Sequence, residues 1–173
     1  MPSELTMWKT GIDYQEMAAQ EQDNPYAQFM AGETLLRAGD FLRAMPFFRK
    51  ASEMAPHHPE SLRGHAICLI MTGQYEQGLA LCASLLARLP VDFTTLLISA
   101  EAFIGLSQYK EAAEAYRQAA LLDYEAVLHM QRKLAMLEEE DLENARCFAK
   151  CVVELFPNLQ QKFEQYPHNR HHR

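Results

Sequence analysis

Two cysteines near the end of the chain, Cys147 and Cys151, are four residues apart, a spacing that would present two thiolates on one face of a helix. Thiolates are strong zinc ligands, but a structural zinc site needs four ligands of this kind. No histidine and no second cysteine pair with ligand spacing accompanies them. We therefore interpret both as small apolar packing residues of the last helix and predict no metal site and no cofactor.

Histidines are the next candidates for metal binding. His168, His171 and His172 form a cluster, but they fall at the C-terminus, in a stretch that we expect to be frayed. Weak adventitious metal binding is all that this cluster predicts. His57 and His58 directly precede a proline, which indicates a loop between two helices.

An acidic run from Glu138 to Asp141 is the remaining feature with catalytic potential. Paired carboxylates can act as general acid and base. A solvated turn in which Asp141 caps the following helix is the simpler interpretation. The sequence also has no phosphate-binding loop, no nucleophile elbow and no histidine–glutamate zinc motif. We therefore predict a protein that is not an enzyme.

The composition and charge of the chain exclude further classes of function. Hydrophobic residues make up 49% of the 173-residue chain, and the formal net charge is −7. Nucleic-acid binding needs a clustered Lys/Arg surface, so we predict no nucleic-acid partner. The N-terminus has no signal-peptide pattern, and no apolar stretch approaches the ~18 residues of a membrane span. Since the four cysteines also do not resemble a disulfide framework, we expect a cytoplasmic protein without membrane contact.

The elements that position any binding surface follow from a 34-residue period in the middle of the chain. A period of this length is typical of stacked helix–turn–helix units, which bind other proteins far more often than they catalyse reactions. No single unit could bury its apolar face alone, so the stack forms the core. The equivalent residues are Gly39, Gly73 and Ser107; Phe41, Tyr75 and Tyr109; Ala44, Gly78 and Ala112; and Phe48, Cys82 and Tyr116.

The period divides the chain into units. Each unit has a first helix, a short turn and a second helix, and glycine in the turn permits the left-handed backbone that ends a helix. Because Ser107 lacks that freedom, we expect the third turn to be looser. The predicted segments are an N-terminal amphipathic helix in 1–24, units at 25–58, 59–92 and 93–126, a degenerate unit at 127–157, and a C-terminal cap and frayed tail at 158–173.

Together these positions resemble the tetratricopeptide repeat over about residues 25–157. The resemblance implies an all-α, right-handed superhelical array whose concave groove, lined by the first helices, binds a peptide or helix of a partner protein. In the first unit the pattern is carried by Gly32, Leu35, Gly39, Phe41, Ala44, Phe48, Ala51 and Pro56.

On that plan the partner-binding groove is lined by first-helix residues that point away from the packing positions. They are mostly apolar with a few charges, and an exposed apolar groove usually marks an interaction site. An alternative with the same burial logic is that the N-terminal helix or a second copy of the chain fills the groove. The predicted groove residues are Tyr26, Phe29, Glu33, Leu36, Arg63, Ile67, Ile70, Met71, Leu97, Glu101 and Ile104.

The length, the acidity and the leading helix also resemble the tetratricopeptide chaperones of bacterial type III secretion. That resemblance implies binding of an extended or amphipathic segment before export. It also implies a homodimer formed through N-terminal helices, which Leu5, Trp8 and Ile12 would suit because they share one helical face. The alternative is a scaffold or assembly subunit of a larger complex.

Overall fold

The structure, a computed structural model, describes residues 11–156, with side chains from residue 14 onward. Within this range the regular structure is entirely helical, which confirms the predicted all-α repeat array. We call α2, α4, α6 and α8 the first helices and α3, α5, α7 and α9 the second helices. The helices are α1 (Gly11–Gln20), α2 (Pro25–Arg37), α3 (Phe41–Met54), α4 (Pro59–Met71), α5 (Tyr75–Arg88), α6 (Phe93–Gly105), α7 (Tyr109–Leu122), α8 (Glu125–Glu140) and α9 (Leu142–Leu155).

Polar caps set where the helices begin. The Asn24 side chain accepts hydrogen bonds from the N–H groups of Tyr26 and Ala27 at 3.0 and 3.2 Å, and Pro25 occupies the first turn. Proline fits there because its missing N–H would have no partner in the helix. Asp141 caps α9 in the same way, as its position in the sequence predicts.

The three turns within units share one backbone conformation. Gly39 and Gly73 have φ of +76° and +82°, and Ser107 has φ of +58°. The N–H of Ser107 donates to the carbonyl of Ile104 at 2.9 Å, as that of Gly39 donates to Leu36. The expectation of a looser third turn is therefore wrong: the serine adopts the left-handed conformation that glycine adopts elsewhere.

The core is built from one repeated contact between helices. Phe48 is fully buried between Gly32 of its own unit and Gly64 of the next, where the absence of a side chain leaves room for the ring. Cys82 and Tyr116 occupy the equivalent positions and are almost completely buried. Neighbouring first helices also pack together, α2 against α4 and α4 against α6.

The fourth unit departs from this plan. Asp141 alone separates α8 from α9, whereas three residues separate α2 from α3. The acidic residues Glu138–Glu140 extend α8 instead of forming a turn, so that part of the sequence-based interpretation is wrong. With this shorter connection α9 packs against both α8 and α7.

Candidate functional site

The first helices α2, α4 and α6 lie side by side. The positions on them that point away from the second helices form one continuous surface, which we call the inner face. Its most exposed large apolar side chains are Tyr26 and Met71, at 59% and 56% exposure. Ile67 is half-buried on the same helix as Met71. The exposed Tyr26 and Met71 and the half-buried Ile67, on adjoining helices, form the apolar part of this face.

A recess of about 190 Å³ opens where α2 and α4 begin. The Phe29 ring stands edge-on to the His58 ring, with centroids 5.0 Å apart. His58 also caps α4, because its Nδ1 accepts a hydrogen bond from the Ser61 N–H at 3.3 Å. The recess thus presents aromatic ring surfaces, and the His58 Nδ1 atom in its wall already has a hydrogen-bond partner within the chain. The lining residues are Pro25, Tyr26, Phe29, Ala55, His58 and Ser61.

Two predicted groove residues, Ile70 and Ile104, instead belong to the core. They are only 5% and 7% exposed. Ile70 points at the second helix of its unit, because Gly78 leaves room there: a Cβ on Gly78 would lie 2.4 Å from the Ile70 side chain. Ile104 packs in a cluster with Ala112, the residue equivalent to Gly78. The prediction that these isoleucines line the groove is therefore wrong.

Leu36 and Leu97 belong partly to the core and partly to the inner face. Both are partly buried, and they pack against core clusters around Phe48 and around Ala100 respectively. A polar substitution at either position would disturb the fold as well as the inner face. These two leucines therefore make poor probes of partner binding, in contrast to Tyr26, Ile67 and Met71.

The charged residues of the inner face are engaged within the chain. Glu33 pairs with Arg37 at 3.4 Å. Arg63 pairs with Asp92, the residue that caps α6, and so ties the second unit to the third. Burial alone would raise the pKa of Asp92, but hydrogen bonds from Arg63 and Thr95 lower it below its usual value.

Glu101 also has partners within the chain. Its carboxylate accepts a hydrogen bond from the Tyr116 hydroxyl at 2.8 Å and pairs with Lys133 at 2.7 Å. Burial and the adjacent carboxylate raise the pKa of Tyr116. Arg63 and Glu101 thus link neighbouring helices and Glu33 pairs within α2, which leaves the recognition of a partner mainly to apolar contacts.

The cysteines differ in access to solvent. Cys147 is exposed and Cys151 partly buried on α9, whereas Cys68 and Cys82 are buried, and all four are free thiols. Cys147 is therefore not the buried packing residue that the sequence predicts. Among residues 11–156, no group of three or more His, Cys, Asp or Glu side chains is placed to hold a metal ion.

A feature that the sequence interpretation missed lies on the opposite surface. A cavity of about 570 Å³ opens between the second helices α5 and α7, with α6 as its floor. We call it the outer cavity. The sequence does contain a signal for this cavity, because the repeat positions that line it hold small residues. Its apolar walls include Leu79, Ala83, Leu86, Leu96, Phe103 and Ala115.

The predicted dimerisation residues fall at the edge of the described part of the chain. Leu5 and Trp8 lie outside the described residues. Ile12 belongs to α1, but its side chain is not among those described. The described part of α1 packs against α2, with Ala18 buried against Ala27 and Ala31.

None of the helices in the described range combines the length and apolar character that a membrane crossing requires.

Comparison with known proteins places the chain among helical repeats. Residues 35–96 match the family model described as tetratricopeptide repeat. The search of curated proteins found no match.

The solved structures that share the fold include two forms of MamA and a thermophilic TPR protein. MamA (41-end) from Desulfovibrio magneticus RS-1 is 23% identical, with a TM-score of 0.68 over 92% of this chain and 86% of that one. The ArsTM double mutant of MamA RS-1 is 24% identical, with a TM-score of 0.64 over 88% of this chain and 86% of that one. A thermophilic TPR protein of Thermus thermophilus is 22% identical, with a TM-score of 0.59 over 84% and 93% of the two chains.

Proposed function

Because the chain is a tetratricopeptide-repeat protein, and thus a protein-interaction module, we propose that its inner face binds an extended or amphipathic segment of a partner protein. The observation that carries this proposal is the row of apolar side chains formed by the exposed Tyr26 and Met71 with the half-buried Ile67 between them in sequence. Exposed large apolar residues on adjoining helices are costly in water unless a partner covers them.

The recess beside Phe29 and His58 supports the same proposal. Its volume of about 190 Å³ suits one apolar side chain of the partner. Shape-matched pockets that take such anchors contribute much of the affinity of an interface. Because Glu33, Arg63 and Glu101 are paired within the chain, we expect apolar anchoring, with little dependence of affinity on salt.

A narrower form of the proposal is a chaperone that keeps an exported or aggregation-prone partner soluble. A cytoplasmic location belongs to this form. All four cysteines are free thiols, as a reducing compartment would keep them. We propose a binding role and no catalytic role, since Glu33, Arg63 and Glu101 form ion pairs within the chain.

A scaffold or assembly subunit is the second candidate. The observation in its favour is the outer cavity together with exposed apolar residues on that side, such as Leu121 at 75% exposure. A protein of this kind would bind through the second helices or through α1. Changes on the inner face would then leave assembly intact.

Affinity purification from the native cell separates the two candidates. Ile67→Asp and Met71→Asp place charge on the inner face without entering the core, and Ala80→Asp is a matched control on the exposed side of α5. We expect a partner to be retained by the wild type and the control and lost from both inner-face variants. A partner that all four proteins retain would refute binding at the inner face.

A further inference from the structure

The outer cavity exists because three neighbouring positions hold small residues. Ala83 on α5, Ser99 on α6 and Ala115 on α7 all line it. One unit earlier, 34 residues before each, the chain has Arg49, His65 and Leu81. The earlier residues are long or bulky, and Arg49 lies close enough to His65 to contribute to lowering its pKa, after the effect of burial.

The following unit carries large residues at all three of these positions, with Lys133 following Ser99 by 34 residues. Arg117 follows Ala83 by 34 residues, and Phe148 follows Ala115 by 33, the step that the shortened fourth turn produces. Phe148 is fully buried against the Tyr116 ring. Small residues at this interval alone therefore leave an open groove with apolar walls, and covering that groove would remove apolar surface from water.

The chain contains a segment suited to that gap. Residues 157–173 lie outside the described range, and they include Leu159 and Phe163, four residues apart. The same segment carries Lys162, Arg170 and Arg173 against one acid, Glu164, although the whole chain has a net charge of −7. Within residues 158–166 Lys162 and Glu164 balance in charge, so this part of the segment offers the apolar cavity two apolar side chains at one-turn spacing.

The point where the described chain ends also suits this segment. α9 packs against α7, and alternating antiparallel helices make the two parallel, so Leu155 lies near the end of α7 that carries Leu121 and Leu122. Both leucines are exposed, and Gln118, one turn earlier, lines the outer cavity. Leu159 and Phe163 follow Leu155 by four and eight residues, which span about 13 and 26 Å when extended, compared with the ~10–12 Å width of one helix.

We propose that residues 158–166 of the same chain cross the end of α7 and occupy the outer cavity, with Leu159 and Phe163 as the inserted side chains. This contact would cover an apolar surface on the second-helix side and leave the inner face free for a partner. It is independent of the function proposed for the inner face.

Hydrogen–deuterium exchange of the full chain, read by mass spectrometry of fragments from residues 158–166, tests the proposal. The variant Ala83→Arg fills the cavity with the residue found at the equivalent positions 49 and 117, so the fold should accept it. Ala80→Arg is the matched control, because Ala80 is exposed on the same helix and does not line the cavity. Fragments from α9 report whether each variant remains folded.

In the wild type we expect these amides to exchange at least about tenfold more slowly than in a synthetic peptide of residues 157–173. Ala83→Arg should abolish most of this protection, and Ala80→Arg should retain it. Exchange at the peptide rate in the wild type, or unchanged protection in Ala83→Arg, would overturn the proposal. Protection that falls on dilution would also overturn it, because the segment would then come from a second copy.

Discussion

The ring of Phe48 lies over Gly64 so closely that a Cβ atom on the glycine would come within 2.4 Å of it. Phe48 is fully buried and cannot move aside. We therefore expect Gly64→Ala to lower the free energy of unfolding by about 1–3 kcal/mol, the usual cost of overpacking. This loss should appear even though alanine is the better helix former, and urea denaturation would measure it.

A double-mutant cycle isolates the contact. In a Phe48→Leu background the smaller side chain leaves space, so Gly64→Ala should cost clearly less than in the wild type. Equal costs in both backgrounds would mean that the ring and the glycine do not pack as described.

The pair of Arg63 and Asp92 predicts a pH dependence of stability. Hydrogen bonds from Arg63 and Thr95 outweigh burial and hold the pKa of Asp92 below its ordinary value. A lowered pKa means that the stabilisation is fully present above the unfolded-state pKa of about 3.9 and is lost as the pH falls through the folded-state pKa. Asp92→Asn should therefore cost about 2 kcal/mol near neutral pH and progressively less in acid.

Denaturation of the wild type and Asp92→Asn at a series of pH values measures this difference. Glu60→Gln is the control, since Glu60 is exposed and comes no closer than 4.0 Å to Arg63. A difference between wild type and Asp92→Asn that stays constant down to about pH 2 would contradict the assigned pairing.

The thiols should separate into reactive and protected groups. Burial raises the pKa of Cys68 to about 12 and that of Cys82 to about 11, so neither forms thiolate near neutral pH. Cys147 is exposed. We expect iodoacetamide to label Cys147 first and to reach Cys68 and Cys82 only after unfolding, as peptide mass spectrometry would show. Rapid labelling of Cys82 in the folded protein would contradict the described core.

The proposed homodimer depends on Leu5 and Trp8. If their helical face joins two copies, light scattering should give twice the 19.8 kDa mass of the chain for the wild type and the single mass for Leu5→Glu/Trp8→Glu. Thr6→Glu/Thr10→Glu adds the same charge off the predicted face and should stay dimeric. A monomeric wild type at micromolar concentration would rule out this dimer.

The array could be predicted from sequence because its determinants recur. Gly39 and Gly73 mark the turns, and Asn24 and Asp141 mark helix starts, all by local rules that need no tertiary information. The assignment of Ile70 to the groove failed because its position lies at the border between the inner face and the unit interior. The Ile70 side chain points into the space above Gly78, and that space depends on how α4 packs on α5.

The outer cavity could have been predicted only by comparing intervals between units. Ala83, Ser99 and Ala115 are far apart in sequence and unremarkable one at a time. Their alignment with Arg49, His65 and Leu81 becomes informative once the fold brings all three positions to one surface. The outer cavity is formed by side chains of three helices together, whereas hydrophobic periodicity is read along one helix at a time.

Site-specific photo-crosslinking in the native cell tests partner binding at the inner face most directly. Benzoylphenylalanine would replace Tyr26 or Ile67 on the inner face, and Ala80 on the second-helix side, one position at a time. We expect both inner-face positions to crosslink to the same partner protein and the Ala80 position not to do so. Crosslinks from Ala80 without any from Tyr26 or Ile67 would contradict it and place binding on the second helices.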